Sequence, residues 1–191
     1  MELTTPRLRL RAWRDTDRAP FAAMNADPRV MAYFPALQSR ADSDASITRW
    51  QAQLAKQGWS NWALELRSRV QFMGFVGLSV PRLAMPFSPC VEIGWRLAHA
   101  YWGQGYASEA ARAVLRAGFE QLGLQEIVSF TALSNERSQA VMQRIGLRRG
   151  EDFDHPALPA DHRLCRHCLY RLSAEDWQQQ AAESAAASAS P

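Results

Sequence analysis

The stretch Tyr101-Trp102-Gly103-Gln104-Gly105-Tyr106-Ala107-Ser108-Glu109-Ala110 holds the most chemistry in this chain. A glycine-punctuated turn follows a strand-like run and opens into an alanine-rich helix. The first turn of a helix exposes N–H groups with no intrahelical partner and carries a partial positive charge. Such a mouth attracts anions, and glycines let a phosphate approach the backbone closely. The small residues Ala107 and Ser108 keep the entrance uncrowded. A P-loop would need Gly-Lys-Ser/Thr, which is missing. A dinucleotide fingerprint would need a third glycine where Ser108 stands, and a position after the first strand of a parallel sheet. The turn lies instead past the midpoint of the chain, behind antiparallel strands. On spacing alone, an anion site and an ordinary tight turn are both open.

A second cluster that could do chemistry is Cys165-x-x-Cys168, with His162 and His167 nearby. Zinc would need a knuckle and a second ligand pair, and neither is present. The run 163–172 reads as a strand, on which residues three apart point to opposite faces, so the thiols diverge. No metal site is expected. Three cysteines, with Cys90 the third, cannot form a disulfide framework in a chain this long.

The elements that must position these residues follow from periodicity. Leu8, Leu10 and Ala12 alternate with Arg7, Arg9 and Arg11, a half-buried first strand with its arginines outward. Asp15 or Asp17 can cap short helical turns containing Phe21 and Met24, broken by Pro28. Ile47, Trp50 and Leu54 predict a helix over 43–57, stopped by Gly58. Strands are expected at 59–66, 72–80 and 90–97, with Gly74 and Gly77 marking bends or close backbone approach. Beyond them come a helix over 108–122, a strand at 127–132, a helix opened by Asn135 and closed by Gly146, and strands at 147–152 and 163–172. The first part is antiparallel in character and the second α/β.

The 191 residues fit one domain, 1–175, with a tail, 176–191, whose alanines and serines predict a frayed or disordered end. Lysine and arginine together number 22 against 19 acidic residues, with a net charge of +3. The arginines are scattered rather than clustered on one face, which argues against nucleic acid as a partner. No stretch approaches the roughly 18 apolar residues of a membrane span. The N-terminus lacks the apolar core of a secretory signal, so a soluble cytoplasmic protein without a membrane partner is expected.

Four motifs in order carry a resemblance: Glu92-Ile93-Gly94-Trp95-Arg96-Leu97, the turn 101–110, Asn135-Glu136-Arg137-Ser138, and Ile145-Gly146-Leu147. Over about residues 3 to 173 the chain resembles the GNAT superfamily of acetyl-CoA-dependent N-acetyltransferases. The opening Thr5-Pro6-Arg7-Leu8-Arg9-Leu10-Arg11 and the late 167–172 are similar to the branch that includes the ribosomal-protein N-terminal acetyltransferases. The resemblance implies an α/β fold of α+β type. Its mixed, mostly antiparallel sheet would have about seven strands, splayed between the fourth and fifth and flanked by helices.

It also implies acetyl-CoA as co-substrate, with the diphosphate on backbone amides of Gly103, Gln104, Gly105, Tyr106 and Ala107, beside Ser108. The superfamily pattern starts with Gln or Arg where this chain has Trp102, a departure that shifts binding onto the main chain. Amides of Ile93, Gly94 and Trp95 are the family-like donors to the carbonyl oxygen. Asn135 would bond the pantetheine, and Ser138 would face the thiol and protonate the leaving sulfur; Tyr170 is a second candidate acid.

A neutral amine must form before it attacks, and Glu92, on the same strand face as Gly94 and Arg96, is the candidate base. Asn135 and Ser138 also suit a helix start, and Glu92 also suits an arginine pair. The acceptor would be a small amine or a peptide amine such as a ribosomal-protein N-terminus, and Trp50, Trp59 or Trp62 would line its site. Dimers are frequent among similar proteins, so a homodimer is a further expectation. A non-catalytic acyl-CoA-binding module is the competing reading.

Overall fold

Alternation and capping explain most of what the computed structural model, which describes residues 1–189, contains. Eight strands and five α-helices form among these residues, in a mixed and mostly antiparallel arrangement. The chain divides into two compact units: Met1–Ser79 with Ile93–Val114, and Val80–Glu92 with the chain from Leu115 onward.

In the first unit, β1 (Leu3–Thr4), β2 (Leu8–Arg11), β3 (Asn61–Leu66), β4 (Gln71–Ser79) and most of β5 (Glu92–Leu97) lie side by side in that order. The two-residue β1, pairing Leu3 with Leu10, raises the expected seven strands to eight. It is too short to show any alternation. Between β2 and β3 run α1 (Arg18–Asn25) and α2 (Arg40–Gln57). α2 begins earlier than its apolar spacing suggests, because Ser39 and Asp42 make a reciprocal capping box. Gly58 ends it at φ 81. The helices pack Phe21, Met24 and Ile47 against Trp13, Ala63 and Phe75.

Arg11 corrects the outward reading of the β2 arginines, for its side chain is 3% exposed. It is held by Asp17 at 2.7 and 2.9 Å and by Glu65 at 2.7 Å, with Arg14 also reaching Glu65. Two carboxylates offset the desolvation of one guanidinium, an outcome that strand alternation cannot show. Burial pulls the Arg11 pKa down, but the bonds and charges of Asp17 and Glu65 outweigh it and leave the group raised. Trp62 is likewise fully buried, its indole N–H donating to the Met1 carbonyl at 3.0 Å, so it lines no acceptor site.

Gly74 and Gly77 on β4 sit where the spacing predicted close approach. A Cβ on Gly74 would overlap the Arg96 carbonyl oxygen, and one on Gly77 would overlap the Ser60 carbonyl and Asn61 Cα. Backbone cannot swing aside as a side chain can. We expect Gly77→Ala to cost about 3 kcal/mol, a fall in Tm of roughly 6–12 °C in a chain of this size. Gly150→Ala, whose Cβ would meet Leu169 O at an ordinary 3.7 Å, is the control; calorimetric melting of both checks the pair.

In the second unit, β6 (Glu126–Ala132), β8 (Arg166–Ser173) and β7 (Arg148–Asp154) pair antiparallel with β8 in the middle. Glu92, the first residue of β5, pairs in parallel with Val128 of β6. α4 (Glu136–Arg144) follows β6, and Gly146 at φ 92 closes it. α3 (Tyr106–Arg116) passes through a π-turn over Ala117–Gln121 before Gly123.

The segment 176–191, expected to fray, instead continues α5 (Ala174–Ala189); residues 190 and 191 lie outside the described residues. Alanine is the strongest helix former, and the first turns are anchored. Trp177 stacks on Phe119 at 5.6 Å, Asp176 pairs with Arg148 at 2.9 Å, and Gln180 donates to Gly146 O at 3.0 Å. No helix among the described residues is long and apolar enough to cross a membrane.

Candidate active site

The glycine turn lies in the first unit, between a short 3₁₀ turn at His99–Tyr101 and α3. Gly103 and Gly105 take φ 74 and 78, a left-handed conformation that glycine adopts without steric cost. Both are exposed, and among the described residues no backbone acceptor outside the helix is bonded to the amides of Gly103, Gln104 or Gly105. Tyr106 and Ala107 begin the helix, and Ser108 beneath them is buried. Open donors, the positive helix end and uncrowded glycines fit an anion such as a diphosphate. An added Cβ at Gly103 would meet nothing within 4 Å, so the turn faces open space.

Trp102, in the place of the pattern's Gln or Arg, is committed elsewhere. Its indole N–H donates to Leu97 O at 2.8 Å and its ring packs on the aromatic core. A cation reaches the turn by another route. Arg7 donates from Nη1 to Gln104 O at 3.0 Å, lies over the Tyr106 ring at 4.5 Å, and stands 3.5 Å from where a Gly105 Cβ would be. Glu109 fixes it through Nε at 2.5 Å and the Arg7 amide at 3.0 Å, while Thr5 Oγ donates to the same carboxylate at 2.5 Å. Burial alone would raise the Glu109 pKa; these donors and the Arg7 charge overcome it and hold the carboxyl below its usual value. Sequence reading gave Arg7 no role beyond its place in a motif, since nothing local shows that residues 5–7 fold onto α3.

In the second unit, Asn135 and Ser138 come together at the start of α4. Asn135 Oδ1 accepts from the Ser138 amide at 3.3 Å, and its Nδ2 lies 2.8 Å from Thr131 Oγ and 3.1 Å from Ser138 Oγ. Asn135 is therefore the helix N-cap, and Thr131, which sequence reading passed over, orients it. Tyr170, on β8, is 1% exposed; its hydroxyl accepts from Gln143 at 3.2 Å and donates to Gln139 at 3.4 Å, both on α4.

Glu92 is part-buried, and no arginine pairs with it among the described residues. With no cation to offset it, burial pushes its carboxyl up to about 8. That places its proton exchange in the range useful for a general base.

The two thiols of the C-x-x-C diverge: Cys165, just before β8, points at Leu158 O at 4.0 Å, and Cys168 at Thr131 O at 3.5 Å. His167 Nδ1 lies 3.1 Å from the Cys165 carbonyl oxygen, to which it can only donate, and its ring sits tilted beside His155, 4.9 Å between ring centres. Burial lowers both histidine pKa values.

The side chain of Arg96, on β5 in the first unit, is the other unusual group. Nη1 donates to Asn25 Oδ1 at 2.7 Å and more weakly to Gln38 Oε1 at 3.5 Å, and the guanidinium lies 4.0 Å over the Phe34 ring. Its Nε is sealed from solvent with no acceptor among the described residues. Burial pulls its pKa down to about 10.

Comparison with known proteins shows the family. The family model "Acetyltransferase (GNAT) domain" matches residues 7–148. The chain is 33% identical to the uncharacterized protein YkkB of Bacillus subtilis over 147 residues, 76% of this chain and 84% of YkkB. It is 28% identical to the uncharacterized N-acetyltransferase YnaD of the same organism, over 93% of this chain and 99% of YnaD. Among solved structures it is similar to a GNAT-family acetyltransferase from Bacillus anthracis, with a TM-score of 0.76 and 25% identity, covering 92% of this chain and 99% of that one. The chain belongs to the GNAT acetyltransferase family.

Proposed function

We propose that the chain transfers an acetyl group from acetyl-CoA to a primary amine, by direct attack while both substrates are bound. The observation that supports this most is the exposed turn Gly103–Gly105, its amides open at the mouth of α3. Gly103 to Ala107 and Ser108 would hold the diphosphate, with Arg7 as the charged partner that Trp102 does not supply. Asn135 would bond the pantetheine arm. The thioester supplies an activated acyl carbon with a good leaving group.

The residues of the chain then handle protons and charge. Glu92 takes the proton of the incoming ammonium, directly or through water, so that a neutral amine attacks. Amides of Ile93, Gly94 and Trp95 donate to the carbonyl oxygen as charge builds on it. As the C–S bond breaks, Ser138, already hydrogen-bonded to Asn135, gives its hydroxyl proton to the leaving sulfur and regains one, through water, from the nitrogen that has formed the new C–N bond. Tyr170 is the weaker candidate because two glutamines occupy its hydroxyl. The acceptor is a small amine or a peptide amine, a ribosomal-protein N-terminus included.

Titration calorimetry with coenzyme A, followed by thiol release from acetyl-CoA with an amine panel, tests the reading. We expect micromolar binding and at least one amine that drives thiol release well above background hydrolysis. Binding without turnover on any amine would favour the non-catalytic module, and no heat at saturating coenzyme A would overturn both.

A further inference from the structure

Four acidic residues in the first unit could give the acceptor region a negative character, and each is already occupied. Asp27 pairs with Arg29 at 2.7 Å, which with its other Arg29 contacts holds its carboxyl down at about 2. Asp42 caps α2, Asp44 binds Arg40 at 2.8 Å and faces Arg18 at 3.6 Å, and Glu65 is buried against Arg11. Arg96 is the converse. Its partners among the described residues are two neutral amide oxygens and two aromatic rings, Phe34 at 4.0 Å and Phe75 at 5.6 Å. No carboxylate among the described residues forms an ion pair with it.

The neutral partners are themselves braced. Asn25, fully buried at the end of α1, donates through Nδ2 to Ser43 Oγ at 3.0 Å, and Ser43 Oγ donates to Ser39 O at 2.9 Å. This chain fixes the amide so that Oδ1 faces Arg96. A guanidinium aimed by hydrogen bonds but left without a counter-charge is costly unless something completes it. A carboxylate is the natural complement, because its charge offsets the guanidinium's; with Nε sealed and Nη1 held by Asn25, Nη2 is the group that would meet it. On β5, Arg96 shares a face with Gly94, roughly 7 Å along the strand. A carboxylate on Arg96 would therefore belong to a molecule whose reacting end lies beside Gly94.

We propose that Arg96 is an acceptor-binding residue, and that the preferred acceptors carry a carboxylate within a few bonds of the amine. This rests on the acetyl-transfer reading above and narrows its substrate class. Acceptors without a carboxylate leave the guanidinium uncompensated and bind more weakly.

The experiment uses matched acceptors differing only in carboxylate against carboxamide: amino acids and their amides, and short peptides with Glu or Gln at the second position. Wild-type protein should favour the acid member at least ten-fold in kcat/KM, mostly through KM. Arg96→Gln should bring that ratio within about two-fold, with the amide acceptors changed less than three-fold and coenzyme A affinity unchanged. A wild-type ratio near one overturns the proposal, and needs no variant to fold. So does an Arg96→Gln protein that loses both members equally, the mark of a purely structural role. If coenzyme A binds but no amine turns over, the transfer reading fails instead. Calorimetric affinity for the acid against the amide, with coenzyme A bound, then decides the role of Arg96: a preference of ten-fold or more supports it and equal affinity overturns it.

Discussion

Gly105→Val should raise the Kd for coenzyme A by at least 100-fold while leaving the protein folded. The residue sits at φ 78, where a side chain costs about 1–2 kcal/mol and a β-branched one more. The turn would relieve that strain by rotating out of the left-handed region, which carries its neighbours' N–H groups away from a common focus. A diphosphate needs several donors at once, so their misalignment costs more than any single bond; a hundred-fold loss corresponds to about 2.7 kcal/mol. Gly58→Val is the control: Gly58 has φ 81 and open space around it but ends α2, remote in sequence from the turn. It should lower Tm comparably and leave coenzyme A binding within two-fold. Equal loss of binding in both variants would refute the assignment of the diphosphate to this turn.

Glu92→Gln should lower kcat by about 10²–10⁴-fold, the usual weight of a general base, and remove a rising limb from the pH profile. With its carboxyl near 8, Glu92 is mostly protonated at pH 7, so the wild-type rate should climb through pH 8 and level off above it. The acceptor amine also titrates, so the profile is measured with acceptors of different basicity. The limb belonging to Glu92 stays near 8 with every one of them. A variant that keeps both its rate and this limb would assign proton removal to water or to the acceptor alone.

The same ionisation has a stability consequence of opposite sense. The folded pKa lies above the unfolded value of 4.5, so between 4.5 and about 8 the native state holds the extra proton. Stability therefore falls as pH rises across that window and flattens above it. Glu92→Gln should melt higher than wild type at pH 9 and close to it at pH 5.

The elements whose signal is local are legible in the sequence. Gly74 and Gly77 marked close approach because no other side chain fits such contacts, and Gly58 and Gly146 marked helix ends because their backbone is left-handed. Asn135 was readable as a cap for the same reason of proximity, with its partner Ser138 three residues on. What escaped depends on partners far along the chain. Arg11 looked exposed by alternation, yet Glu65 lies 54 residues away. Arg7 acquires its place from Glu109, 102 residues distant, and Arg96 from Asn25, 71 residues distant. In the tail the helix propensity of alanine prevails over the lack of apolar bulk, helped by Trp177, Asp176 and Gln180, whose partners Phe119, Arg148 and Gly146 are not legible locally.

The Arg11 cluster also bears on how the protein would respond to dissolved electrolyte. At 3% exposure its charges are closed to mobile counter-ions, whereas pairs such as Arg9–Glu2 and Arg29–Asp27 lie within their reach. Screening weakens the second kind and hardly touches the first. A concentrated brine would thus strip the surface of its ionic ornament while the joint between β2, β3 and the first helical turn stayed clamped.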